Sequence, residues 1–194
     1  MRISQMFIAL AATTLLATGC TSQKDPAEQA VAQGEAALSE IRADAQKYAP
    51  EQLKAPEATL AKFKDALAKE EYGTVLEGIP QFNAEIKTLR ETMTVEQTAI
   101  AAATTEWEAL NKEVPPVVAE IENRMKNLSG TRLPKEVTKE NYEAAKANFE
   151  PMKAQWAEAT AAFEAGDALA AADKGRQVKQ IADEMKTQLG MNPV

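Results

Sequence analysis

The side chains of this chain that could perform chemistry are mainly carboxylates, and several of them occur in close pairs. The clearest pairs are Glu70 with Glu71, Glu106 with Glu108, and Glu120 with Glu122. A hydrolase that uses carboxylates alone needs two of them to face each other across a cleft, with the pKa of one raised. Residues one or two positions apart point in different directions around a helix, so we interpret these pairs as solvated surface groups. A carboxylate-only hydrolase stays open as an alternative function.

Other catalytic chemistry is restricted by the residue types that the chain lacks. The sequence contains no histidine, and Cys20 is its only cysteine. Ser-His-Asp triads, Cys-His dyads and zinc sites built on histidine or cysteine are therefore excluded. The composition predicts a protein that is not an enzyme and that uses no metal or cofactor.

Cys20 ends a segment that has the features of an export signal. Arg2 is the only charged residue among residues 1–19, and residues 6–17 form an apolar run interrupted only by two threonines. This run is too short to cross a hydrocarbon core of about 30 Å as a helix. Residues 15–20 read Leu-Leu-Ala-Thr-Gly-Cys, so small residues directly precede the cysteine.

The stretch 15–20 resembles the lipobox of bacterial lipoproteins. In that family the cysteine sulfur receives a diacylglycerol, the preceding peptide is removed, and the cysteine becomes the first residue. The family prefers leucine three residues before the cysteine, where this chain has Ala17, with Leu16 one position earlier. The resemblance implies a signal peptide at residues 1–19 and a lipidated Cys20. The alternatives are an ordinary secretory signal with a chance cysteine, or a buried apolar helix.

The residue after the cysteine indicates where such a lipoprotein would reside. Thr21 stands where an aspartate usually retains Gram-negative lipoproteins in the inner membrane. The resemblance therefore implies the inner leaflet of the outer membrane, facing the periplasm, or the cell membrane if the source is Gram-positive. Residues 20–24 would be the lipidated N-terminus and a short tether, which reaches about 15 Å when extended.

The charge of the chain limits its partners. Loss of residues 1–19 removes Arg2 and changes the formal net charge from −7 to −8. A chain this acidic is a poor candidate for binding nucleic acid or anionic lipid headgroups. We predict no nucleic-acid partner; the expected partners are the membrane, through the lipid anchor, and a protein of unknown identity.

Residues 25–194 have the pattern of a helical bundle. Apolar residues recur at steps of three and four, and no segment alternates with the period of two that is typical of strands. The apolar stripes occupy residues 31–48, 53–67, 75–93, 95–128, 142–163 and 169–189. The stripes are narrow, which favours long helices packed at shallow angles. We predict an all-α fold, an elongated bundle of about six amphipathic helices.

Proline and glycine residues mark the expected helix boundaries. The first helix should end before Pro50, Gly73 should turn the chain, and Pro115-Pro116 should break or sharply kink the fourth stripe. A loop is expected at residues 129–131. In the last turn, Gly166 can adopt a left-handed conformation and Asp167 can cap the next helix.

The two halves of this region resemble each other. An offset of 93 residues aligns Phe63 with Trp156 and Gly73 with Gly166, and an offset of 92 aligns Met93 with Met185. The pattern is compatible with two copies of a three-helix unit, at residues 25–94 and 95–190, and equally with convergence of two Ala-rich hairpins. The Gly-Asp hairpin resembles those of tetratricopeptide-type repeats and of uncharacterised Ala-rich bacterial lipoproteins.

Two tryptophans and several prolines could belong to a binding site. Trp107 and Trp156 could form a ligand platform, although both fall on apolar stripes and are expected to pack in the core. Proline kinks could open a groove between helices, or only let long helices curve. We therefore predict a lipid-anchored periplasmic lipoprotein with a structural or protein-interaction role. A helical protein that binds an apolar ligand beside Phe82, Trp107 and Trp156 is the second alternative.

Overall fold

The computed structural model describes residues 23–130 and 132–191, and in these ranges the chain is helical with no strand. The predicted all-α class is confirmed. The helices are α1 (Lys24–Tyr48), α2 (Pro50–Ala68), α3 (Tyr72–Leu128), α4 (Lys139–Glu164) and α5 (Ala168–Gln188). The predicted signal peptide at residues 1–19, the lipidation site Cys20 and the tether residues before Gln23 lie outside the described residues.

The described residues form five helices rather than about six, because the third and fourth apolar stripes belong to one helix. This helix, α3, has 57 residues. Residues 81–114 contain neither glycine nor proline, so nothing in the backbone ends the helix there. Pro115 and Pro116 also lie within α3, so of the predicted break or sharp kink the break is wrong. Each proline removes one amide donor and crowds the carbonyl four residues earlier. We attribute the continuity of the helix to the burial of Val114 and Ile121 on either side.

The α2–α3 turn differs from its prediction at Gly73, which lies inside the first turn of α3. The chain turns instead at Lys69–Glu71, where Glu70 has a φ of 61°. The amide of Glu71 donates to the carbonyl of Ala66 at 2.8 Å, and the amide of Glu70 donates to Leu67 at 3.0 Å. This bonding closes the C-terminus of α2 as a Schellman motif.

The α4–α5 turn has the same bonding and the residue types that were predicted for it. The amide of Asp167 donates to the carbonyl of Ala162 at 2.9 Å, and Gly166 has a φ of 88°. The Asp167 carboxylate accepts the amide of Ala170 at 2.9 Å and caps α5. Glu70 therefore corresponds to Gly166, and the hairpins match at an offset of 96 residues rather than 93.

This correspondence leads to a prediction about the two turns. A non-glycine residue in the left-handed region costs about 1–2 kcal/mol, and the flexibility of unfolded glycine offsets part of that cost. We expect Glu70→Gly to raise the free energy of unfolding by about 0.5–1 kcal/mol. Gly166→Ala should lower it by about 1 kcal/mol, although no atom would crowd the new Cβ. Urea unfolding measures both changes; a loss of stability in Glu70→Gly would contradict the assignment of strain.

The described chain divides into two compact units. The first unit contains residues 23–41 and Lys54–Ile86, and the second contains Arg42–Leu53 and residues 87–191. In the first unit, the rings of Phe63 and Phe82 lie 5.8 Å apart between their centroids. Glycines let the helices approach these rings: a Cβ at Gly78 would lie 2.5 Å from the Phe63 ring, and one at Gly34 would lie 3.0 Å from the Phe82 ring.

The second unit contains the larger described core. It joins α3, α4 and α5 through residues that are almost completely buried, including Val114, Ile121, Met152, Val178, Met185 and Leu189. Trp107 is also buried, at 2% exposure, as its position in the stripe predicts. Two apolar residues of the predicted stripes do not join the core: Val95 is 65% exposed and Leu169 is 43% exposed. Each is the first apolar residue of its predicted stripe.

Candidate functional site

The carboxylate pairs noted in the sequence do not converge on a cleft. In the second unit, Glu106 and Glu120 each contact a cation of α5, whereas Glu122 binds Lys126 on its own helix at 2.8 Å. The pKa of Glu122 is lowered by its hydrogen bond to Lys126 and by the charge of that lysine. A general acid needs the opposite shift, so this carboxylate does not have the property that the hydrolase alternative requires.

The α3 carboxylates belong to a ladder of ion pairs that was not predicted from the sequence. Glu106, Glu113 and Glu120 are spaced by seven residues and contact Arg176, Lys179 and Lys186, respectively. The Arg124 side chain extends the ladder by donating to the carbonyl of Leu189 at 3.0 Å. Glutamate at every seventh position was the available signal, because this spacing keeps the side chains on one edge of a helix. We infer that the ladder sets the parallel register of α5 against α3.

Two of the cations of the ladder, Arg176 and Lys179, are stabilised in their charged forms. The pKa of Arg176 is raised by hydrogen bonds to Glu106 and Asp173. The pKa of Lys179 is raised above its ordinary value of 10.5, chiefly by its hydrogen bond to Glu113, which outweighs the opposing effect of partial burial. The charge of Asp183 contributes in the same direction. About a third of the Lys179 side chain is exposed, so solvent screening limits the energy of this pair.

The Lys179 pair predicts a pH dependence at alkaline pH. Because its pKa is higher in the folded state, its stabilisation is complete below pH 10.5 and is lost as the pH rises through the folded pKa. We expect a contribution below about 1 kcal/mol. Urea midpoints of wild type and Lys179→Gln, measured between about pH 9 and 12, should differ at the lower end and converge at the upper end. A constant difference would show that the lysine acts through packing of its alkyl chain.

An aromatic stack forms the second notable feature of this unit. The Trp107 ring on α3 stacks on Trp156 of α4 with centroids 5.1 Å apart, and on Phe163 of α4 with centroids 5.5 Å apart. Seven residues of α4 separate Trp156 from Phe163, which is a rise of about 10.5 Å. The sum of the two centroid distances is close to that rise. We therefore infer that the Trp107 ring lies between the other two rings. The predicted core position of Trp107 is confirmed, whereas Trp156 is only partly buried.

Two grooves lie beside aromatic residues of the predicted apolar stripes. The first-unit groove has a volume of about 280 Å³ and includes Gly34, Phe63 and Phe82, with Gln33 and Asn83 among its polar residues. The second-unit groove has a volume of about 240 Å³. It is lined by Pro115, Val118, Lys153, Trp156 and Ala157. Phe82 thus lines a groove of the first unit, and Trp156 lines a groove of the second unit.

Three further findings concern chemistry, membranes and relatives. Within the described ranges, no group of three or more acidic or cysteine side chains is arranged to hold a metal ion. None of the helices from Lys24 to Gln188 is both long and apolar enough to cross a membrane. Comparisons with protein-family models, with curated proteins and with solved structures find no match to this chain.

Proposed function

We propose that this chain is a lipid-anchored helical lipoprotein that faces the periplasm and acts by binding or spacing a protein partner, without catalysis. The observation that carries the proposal is the stretch 15–20, in which small residues end at the only cysteine after an apolar run. Thr21 stands where an aspartate usually retains Gram-negative lipoproteins in the inner membrane, which supports the inner leaflet of the outer membrane as the location, or the cell membrane in a Gram-positive source.

The start of α1 supports a short connection between the anchor and the helices. α1 begins at Lys24, four residues after Cys20, and four extended residues reach at most about 14 Å. The Gln23 side chain lies near Gly73, 3.7 Å from where a Cβ of that residue would be. Anchoring at Cys20 would therefore bring the α2–α3 turn of the first unit close to the bilayer surface.

The ion-pair ladder and the aromatic stack support a structural or binding role for the second unit. The ladder joins α3 to α5 and the stack joins α3 to α4, so side chains on the outer faces of these helices keep fixed spacings. Among the described residues, Val95 and Leu169 are large apolar side chains left exposed on such faces. They are therefore useful positions for detecting a partner.

Site-specific cross-linking in intact cells tests the partner directly. A photoreactive phenylalanine analogue at position 95 or 169 should capture the same protein repeatedly, and Cys20→Ala should abolish that capture. The same analogue at Lys87, an α3 residue whose side chain is 76% exposed, serves as the matched control. A protein captured equally from all three positions, or capture that does not depend on Cys20, would contradict a membrane-docked interaction protein.

The binding of an apolar ligand is the second candidate function. The specific observation in its favour is the pair of grooves beside Phe82 and Trp156. A carboxylate-only hydrolase has no comparable support, because Glu106 and Glu120 are each engaged with a cation of α5.

We also propose that the two halves descend from a duplicated three-helix unit. The hairpin α2–α3 matches α4–α5 at an offset of 96, as from Glu70 to Gly166. The buried positions of α1 match those of α3 at an offset of 76. These pairs are Ala27 with Ala103, Val31 with Trp107, Gly34 with Leu110, Leu38 with Val114, and Ala45 with Ile121. Related sequences in which both offsets are the same as here would support duplication. Related sequences in which the offsets vary would favour convergence.

A further inference from the structure

Trp156 belongs both to the aromatic stack and to the lining of the second-unit groove. α4 carries an aromatic residue at every seventh position, namely Tyr142, Phe149, Trp156 and Phe163. A rise of about 10.5 Å over seven residues leaves room for one ring between successive aromatic residues at stacking distance. Trp107 occupies that room between Trp156 and Phe163.

The next interval along α4, between Phe149 and Trp156, has no such ring from α3. α3 runs antiparallel to α4, since Trp107 contacts Trp156 while the Tyr142 hydroxyl approaches the carbonyl of Met125 at 3.5 Å. The residue seven positions after Trp107 is Val114, which is buried but much smaller. The two following residues are prolines, without long side chains. Trp156, which stacks on Trp107, also lines the groove of about 240 Å³.

We propose that this groove binds a small planar aromatic carboxylate, whose ring stacks on Trp156 while its carboxylate lies beside Lys153. The groove is smaller than the roughly 300–1,000 Å³ of pockets for drug-sized ligands, which limits the occupant to one ring system. Its lining is mostly carbon, from Pro115, Val118, Trp156 and Ala157.

The charged residue beside the groove determines the sign of the charge that a ligand should carry. Lys153 is the one charged residue among those that line it. Its Nζ lies 5.2 Å from the centroid of the Phe149 ring and 3.2 Å from a carboxylate oxygen of Glu150. The Glu150 side chain is 75% exposed, and an exposed ion pair of this kind is weak. A ligand carboxylate can therefore replace Glu150 as the partner of Lys153.

This inference deepens the apolar-ligand alternative and does not depend on the anchor. It concerns residues 115–157 of the second unit, and it holds whether or not Cys20 carries lipid. A negative result for the groove would leave the lipoprotein proposal intact. A negative result for lipidation would likewise leave the groove proposal intact.

The binding of 2-naphthoate tests the inference on the full-length protein as the cell produces it, placed in lipid nanodiscs when it is lipidated. The chain has two tryptophans, so incorporation of 5-fluorotryptophan gives two ¹⁹F resonances, which Trp156→Phe assigns. We expect saturable binding with a Kd on the order of 1 mM or tighter. The Trp156 resonance should shift on binding and the Trp107 resonance should shift much less.

Variants of the groove separate specific binding from general adsorption. Ala157→Leu places a side chain in the groove and should weaken binding at least about tenfold. Ala154→Leu is the matched control, since Ala154 is exposed on the same helix and does not line the groove. Lys153→Gln should weaken binding of 2-naphthoate several-fold and leave the binding of neutral 2-naphthamide unchanged.

Several results would overturn the proposal. Absence of saturable binding at millimolar 2-naphthoate would exclude the site. Equal loss of binding in Ala157→Leu and Ala154→Leu would place the ligand elsewhere. Equal affinity for cyclohexanecarboxylate and 2-naphthoate would show that ring stacking on Trp156 does not contribute. Circular dichroism of each variant confirms that the helices are retained.

Discussion

Cys20→Ser should abolish lipid attachment and leave the protein as an unprocessed precursor that still carries residues 1–19. The sulfur is the group that accepts the diacylglycerol in the family that stretch 15–20 resembles, and a serine hydroxyl does not replace it there. In the wild type, two or three acyl chains would anchor the protein stably, because each buried CH₂ contributes about 0.8 kcal/mol. Metabolic labelling with an alkyne fatty acid should therefore mark the wild type and not the variant.

Mass spectrometry of the N-terminal peptide tests this prediction directly. The wild-type N-terminal tryptic peptide should begin at a modified Cys20 and end at Lys24, whereas Cys20→Ser should retain the preceding residues. Thr21→Asp is the matched control, which should keep the lipid and move the protein from the outer to the inner membrane of a Gram-negative host. An unlabelled wild type, or an N-terminus at any other residue, would contradict the lipoprotein proposal.

Trp107→Ala should strongly destabilise the second unit. Trp107 is 2% exposed and lies between the rings of Trp156 and Phe163. Its removal loses the burial of a large aromatic side chain and both ring contacts, and it leaves a cavity that the helices cannot fill completely. We expect the free energy of unfolding to fall by about 3–5 kcal/mol.

Chemical denaturation, monitored by circular dichroism, measures this loss without relying on tryptophan fluorescence. Val95→Ala is the matched control, because it truncates an apolar residue of the same helix that is 65% exposed. Its effect should stay within about 0.5 kcal/mol. Trp107→Phe should be intermediate, because it keeps one ring in the stack. A loss below about 1 kcal/mol for Trp107→Ala would mean that the stack does not hold α3 against α4.

The helical class and several boundaries could be predicted from local residue patterns. Steps of three and four between apolar residues indicated helices, and Pro50, Gly166 and Asp167 marked ends that the structure confirms. These features depend on backbone geometry and on hydrogen bonds between residues close in sequence. The left-handed conformation of Glu70 could not be predicted in this way. Its φ of 61° follows from the hydrogen bonds that close α2, whereas glutamate itself disfavours positive φ.

The continuity of α3 and the exposure of Val95 required knowledge of packing. Local rules favour a break at Pro115-Pro116, yet the burial of Val114 and Ile121 on both sides outweighs the hydrogen bonds lost at the prolines. Val95 belongs to a regular stripe, but an apolar residue is buried only where another element covers it. Periodicity indicates which face of a helix is apolar and does not indicate how far the neighbouring helices extend.

Residue types and spacing alone establish the all-α class, the absence of histidine and thiol chemistry beyond Cys20, and the lipobox resemblance, because each depends on residues adjacent in sequence. The tertiary structure alone reveals the partners of Glu106, Glu113 and Glu120 on α5, the stack of Trp107 between Trp156 and Phe163, and the groove beside Pro115. These features join residues about 40 to 70 positions apart, as from Trp107 to Trp156 or from Glu106 to Arg176. Such contacts depend on the register in which neighbouring helices pack. Helical periodicity by itself permits several registers.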